Sequence, residues 1–170
     1  MTTRRLPAFV FLALVALTSV GCDDDTLPNR GDDLPRALCE PPTDNACEAC
    51  ACANCRAETD ACKDLPGTAQ GGPATGRARS VICQELVRCV QTSHCFTVEC
   101  LCGNQRSPEA CADAPSGPCR EEYLAAFEID TIEPEQLGEA PPAAVAAATL
   151  QQCQFDRCRS SCLPPKLSEP

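Results

Sequence analysis

The stretch Cys47-Glu-Ala-Cys50-Ala-Cys52-Ala-Asn-Cys55, with Cys62 seven residues further on, governs how the rest of the chain is read. Asn45 and Glu48 have the spacing of a capping box, and no proline or glycine interrupts the run, so the pattern predicts a helix from about residue 44 to residue 63. At 100° per residue, Cys47, Cys50, Cys52 and Cys55 spread over an arc of roughly 200° on that helix. Four thiols spread in this way cannot converge on one ion. A tetrathiolate zinc site needs tetrahedral geometry, generally from two pairs on separate loops. The expectation is therefore disulfides that reach from this helix to other elements. The recipients expected are cysteines of the second helix and of the 95–119 loops, because successive elements usually pack together.

Composition points the same way. Seventeen of 170 residues are cysteine, against five phenylalanines, one tyrosine and no tryptophan. Cysteine at this density in a short chain indicates a disulfide scaffold. The candidates for bridging are Cys39, Cys47, Cys50, Cys52, Cys55, Cys62, Cys83, Cys89, Cys95, Cys100, Cys102, Cys111, Cys119, Cys153, Cys158 and Cys162. The formal charge of −10 argues against nucleic acid as a partner, since such binding rests on Lys and Arg footprints. Phe96, Tyr123, Phe127 and Phe155, with scattered Leu, Val and Ile, are expected to supply the packing.

Strand signals are poor, while Ala, Glu, Arg and Gln are plentiful, so the fold class is mainly α with no substantial sheet. About four helices are expected around a Cys-rich loop region. The second spans about 76–94 and follows a flexible Gly-rich connection at 67–76. It places Ile82, Cys83, Leu86, Val87, Cys89 and Val90 on one face, with Gln84, Glu85, Arg88, Gln91 and Thr92 opposite. Ser107-Pro108-Glu109 reads as the cap and first turn of a short helical turn within the loop region. The third helix, about 119–129, stacks Cys119, Tyr123 and Phe127 at i,i+4 spacing, and Pro134 stops it. After a loop at 135–139, the fourth runs from Pro142 to about Cys162, closed by Pro164-Pro165. On it Ala144, Ala148, Phe155, Cys158 and Cys162 share a face, and Cys153 points towards a different element from Cys158. Cys83-Gln-Glu-Leu-Val-Arg-Cys89 and Cys153-Gln-Phe-Asp-Arg-Cys158 form a weak internal echo.

The first 22 residues read as an export signal. Arg4 and Arg5 form the positive region, and Leu6 to Leu17 an apolar run broken only by Pro7. At about 12 residues that run is too short for a membrane span of roughly 20. Gly21-Cys22 resembles the end of a bacterial lipobox, with Ser19 where leucine is usual. The resemblance implies that Cys22 is diacylated and becomes the mature N-terminus. Ser19-Val20-Gly21 also fits an ordinary signal-peptidase site, which would give a secreted form instead. Withdrawing Cys22 leaves an even sixteen thiols. The organisation expected is a signal at 1–21, an acidic tether at 22–38 and one disulfide-rich domain at 39–170.

Catalytic patterns are thin. His94, the only histidine, sits near a helix end beside Cys95 and reads as a partly buried or capping residue rather than half of a Cys/His pair. No G-x-S-x-G elbow, calcium loop or phosphate loop occurs. Glu121-Glu122 reads as solvated charge. Cys95-x4-Cys100-x-Cys102 lacks the spacing of an iron–sulfur ligand set. The chain resembles bacterial cysteine-rich lipoproteins. The functional expectation is a non-enzymatic, lipid-anchored structural or binding module of the bacterial cell envelope. Its partners would be the membrane, through that anchor, and a protein or envelope ligand, with no cofactor and no metal. The alternative is a thiol-redox or metal-handling envelope protein that uses Cys47 to Cys62.

Overall fold

Asn45 opens the first helix: its side-chain oxygen accepts from the backbone N–H groups of Cys47 (2.8 Å) and Glu48 (3.2 Å). The Glu48 carboxylate turns back to accept from the N–H of Cys39 at 2.8 Å and is itself buried. The computed structural model describes residues 37–41, 43, 45–96, 98–105, 107–132 and 140–163. The signal at 1–21, Cys22, most of the 22–38 tether, Pro134, the 135–139 loop and Pro164-Pro165 lie outside the described residues.

Among the described residues there are eight helices and no strand. They are α1 (Ala46–Asn54), α2 (Arg56–Lys63), α3 (Arg79–Ser93), α4 (Val98–Cys102), α5 (Pro108–Asp113), α6 (Arg120–Phe127), α7 (Pro142–Arg157) and α8 (Arg159–Cys162). The mainly α class holds, but two helices expected to be continuous are each divided in two. The breaks fall at Cys55 (φ −123°, ψ 40°) and Cys158 (φ −122°, ψ 20°), where neither proline nor glycine marks them. Both breaking residues are half-cystines, so the cross-links coincide with the breaks. α4 is a correction: it lies inside what reads as loop. Glu99 accepts from the N–H of Phe96 at 2.6 Å and so supports its first turn. α5 forms where the Ser107 cap predicts it, with the Ser107 hydroxyl accepting from Ala110 N–H at 3.1 Å.

The 67–76 connection is folded and packed against the helices. Ala69 and Ala74 are buried, a 3-10 turn spans Gly72–Ala74, and Thr68 pairs with Ala78 in an isolated antiparallel bridge. This turn sits against the end of α6. A Cβ on Gly72, whose φ is +66°, would lie 2.6 Å from the backbone nitrogen of Ile129, so only glycine fits there. Glu128 fastens the same junction, accepting from Gln70 N–H (2.7 Å) and Arg79 Nε (2.8 Å). The Arg79 bond, helped by the Gln70 N–H and opposed by burial, holds the Glu128 carboxyl below the ordinary carboxylate range.

α7 lies against α1, α2, α3 and α6, and the core forms around it. Leu38, Ile82, Leu86, Val87 and Leu150 are the large apolar side chains sealed from solvent, surrounded by Ala51, Ala126, Ala143, Ala147 and half-cystines. Cys102, Cys111, Leu124 and Ile132 make a smaller second cluster. The face of α3 is as expected, except that Cys89 is half-buried and Gln91, expected outward, is buried. On the expected face of the fourth helix, Ala144, Cys158 and Cys162 are buried, but the rest of the face differs. Ala143, Ala147, Leu150 and Gln154 are buried, while Ala148 is exposed and Phe155 half-buried.

The aromatic rings do not form the core. All four are half-buried at its edge. Phe96 meets Phe155 at 5.2 Å between centroids, Arg159 lies 4.8 Å over Phe155, and Tyr123 lies nearly parallel to Phe127 at 6.4 Å. Burial pushes the Tyr123 phenol up, against an opposing hydrogen bond with Gln151. A half-covered ring contributes less than a sealed aliphatic chain. Leu150→Ala should therefore lower stability by about 2–5 kcal/mol, and Phe127→Ala by roughly 1–2 kcal/mol. Denaturant unfolding with bridges intact tests this; a larger loss at Phe127 than at Leu150 would contradict the edge placement.

Candidate functional site

The chemistry-bearing residues of this chain are its cysteines, and eight disulfides join all sixteen from Cys39 to Cys162. Three of them form a ladder. Cys47 joins Cys162, Cys50 joins Cys158, and Cys55 joins Cys153, with Cα separations of 4.4, 5.8 and 5.9 Å. Positions rise along α1 as they fall along α7 and α8, so the two arms run antiparallel. Small residues such as Ala51 leave room for so close an approach. Arg157 adds a tie at the same seam, its guanidinium donating to the Asn54 carbonyl at 3.1 Å.

As the helical arc predicts, none of Cys47, Cys50, Cys52 and Cys55 pairs with another of the four. The expected recipients need correcting. Three of these thiols reach the C-terminal arm rather than the second helix or the 95–119 loops, and Cys52 turns back to Cys39. The expectation that Cys153 and Cys158 serve different elements also fails, since both join the α1 segment. Sequence distance concealed this: the ladder spans 98 to 115 residues, and nothing local signals it.

The other bridges fasten neighbours. Cys62–Cys83 ties α2 to α3, and Cys89–Cys119 ties α3 to the start of α6. Cys95–Cys100 and Cys102–Cys111 close short loops. The Cys39–Cys52 bridge pins the lead-in to α1. There Leu38 is sealed in the core, and its N–H donates to Gln84 Oε1 at 3.0 Å.

His94 takes the C-cap position of α3 with φ 51° and is exposed rather than partly buried. Glu121 is exposed and pairs with Arg120 at 2.6 Å, in keeping with solvated charge. Among the described residues, no three His, Cys, Asp or Glu side chains gather where they could hold a metal ion. An open groove of about 470 Å³ runs between α2 and α7, lined by Glu58, Thr149, Gln152, Asp156 and Arg157. Among the described residues, no helix is long and apolar enough to cross a membrane.

No family model, curated protein or solved structure matches this chain. The site itself thus defines the class: a small helical protein held by eight disulfides. Bridges in this number belong to an oxidising, extracytoplasmic or secreted environment.

The ladder has an energetic consequence. With two rungs in place, the third closes a loop of only a few residues; the last remaining rung alone holds the C-terminal arm across most of the domain. Loop-closure entropy grows with the logarithm of loop length. Replacing one rung by a serine pair should cost about 2–3 kcal/mol, whereas removing the last should cost about 4 kcal/mol. Successive double-serine variants in denaturant titrations measure this. Equal increments for the first and third removals would contradict a shared ladder.

Proposed function

We propose that this chain is a lipid-anchored structural or binding module of the bacterial cell envelope, held outside the cytoplasm by an acyl group on Cys22. Cysteine pairing carries the reading. Every cysteine from Cys39 to Cys162 is in a bridge, and the seventeenth is Cys22, at the lipobox-like Gly21-Cys22. A free thiol left beside eight disulfides would invite exchange, whereas a thioether at Cys22 removes it. The acidic, proline-containing stretch after Cys22 has the composition of a solvated spacer between anchor and domain.

In this reading the domain works by holding a surface in place. Cross-links keep the helices in register without a large aromatic core, so polar side chains such as those of the α2–α7 groove are presented at fixed positions. No catalytic step is assigned to it. The ligand is an envelope component or a protein rather than a nucleic acid, in keeping with the net charge of −10.

Fractionation of cells expressing the full chain tests the anchor. Wild-type protein should sediment with membranes, carry the mass of acyl groups and enter the detergent phase. Cys22→Ser should move it to the soluble fraction without those groups. A wild-type protein that is already soluble and unmodified would overturn the lipoprotein reading and favour the secreted form.

A further inference from the structure

Two of the eight bridges touch. The sulfur of Cys95, in the Cys95–Cys100 bridge, lies 3.9 Å from the sulfur of Cys119, in the Cys89–Cys119 bridge. We infer that these two bridges form a thiol–disulfide exchange site, which accepts an external thiol at Cys89 and passes the exchange to Cys95 and Cys100.

The sulfurs of this pair are unequal. Cys89 is half-buried, whereas Cys119 and Cys100 are sealed from solvent and Cys95 nearly so. An incoming thiolate therefore meets Cys89 first. Ser93 Oγ and the Pro118 carbonyl lie beside it, 3.7 and 3.6 Å from Cys89 Sγ. Both residues also line an open groove of about 430 Å³ whose cysteine is Cys95, so the second bridge borders the same surface.

The leaving sulfur is well placed. Cys119 occupies the N-cap of α6, and Ser93 Oγ lies 3.7 Å from its sulfur, where it can donate to the departing thiolate. The backbone holds the next sulfur beside it. Cys119 N–H donates to the Cys100 carbonyl at 2.9 Å, and Gly117 N–H to the Leu101 carbonyl at 2.8 Å. A Cβ on Gly117 would sit 2.2 Å from the Cys100 oxygen, so the close docking of this segment on α4 requires glycine.

The exchange conserves sulfur and electrons. A thiolate of class RS⁻ attacks Cys89 Sγ, the Cys89–Cys119 bond breaks, and the electron pair leaves on Cys119 as a thiolate. That thiolate attacks Cys95 Sγ, the Cys95–Cys100 bond breaks, and Cys100 leaves as a thiolate that takes up the proton released by RSH. The products are an R–S–S–Cys89 mixed disulfide, a Cys95–Cys119 bridge and a free Cys100 thiol. No separate oxidant or reductant is consumed.

The test is Cys100→Ser, which leaves Cys95 as a thiol against the neighbouring bridge. Native protein is alkylated and its peptides are mapped. The expected result is loss of the Cys89–Cys119 peptide, a new Cys95–Cys119 peptide and the alkyl label on Cys89. Cys83→Ser serves as the comparison and should leave the label on Cys62 with all other bridges intact. Label remaining on Cys95 in Cys100→Ser, or general scrambling in both variants, overturns the proposal. Should Cys100→Ser fail to fold, wild-type protein with limiting glutathione gives the same decision. Glutathione on Cys89 with a free Cys100 thiol supports the exchange site. Glutathione first at another bridge, or Cys119 free with Cys95–Cys100 intact, refutes it.

Discussion

The ladder that joins α1 to α7 and α8 is the constraint on which the other elements depend. Cys47, Cys50 and Cys55 meet Cys162, Cys158 and Cys153, and the three bonds bring the two ends of the domain into one antiparallel pair. α7 then serves as the surface against which α2, α3 and α6 pack. Without the ladder, a helix with an alanine-rich face would have only weak apolar attraction for its neighbours. Burial contributes about 25 cal/mol per Å², and alanine offers little area. Covalent closure compensates, chiefly by limiting the freedom of the unfolded chain, and it does so most when the loop closed is long.

The same economy explains the composition. Twelve half-cystines are buried, and they fill space that leucine or phenylalanine would fill in a protein without cross-links. The rings are left at the edge, as the Phe96–Phe155 and Tyr123–Phe127 pairs. Small buried residues such as Ala51 and Ala147 take little space between the helices, and sulfur bridges hold the backbones close. The helices also break at Cys55 and Cys158, both bridging residues.

Much of the helical content was legible because periodicity and capping are local. Asn45, Ser107 and Pro142 mark helix starts by their own chemistry, and the apolar face of α3 follows from 3.6-residue spacing. The outward spread of the thiols at 47, 50, 52 and 55 follows from the same geometry. Their partners do not, because pairing across 98 to 115 residues depends on the whole fold. Nor are the breaks at Cys55 and Cys158 written in proline or glycine. Gln91 reads as surface by type and is buried by tertiary packing, and the glycines near 71 read as slack although they fit tightly against Glu128 and Ile129. The contact between Cys95 and Cys119 likewise arises only once α4 and α6 are brought together.

The most direct measurement is the disulfide map of the native protein, obtained by proteolysis at acidic pH, where exchange is suppressed, followed by mass spectrometry of the linked peptides. The expected peptides join the α1 segment to the C-terminal arm through Cys47–Cys162, Cys50–Cys158 and Cys55–Cys153. A map in which Cys47 is bonded to Cys50, or in which the 153–162 cysteines pair among themselves or with the 95–119 loops, would contradict it.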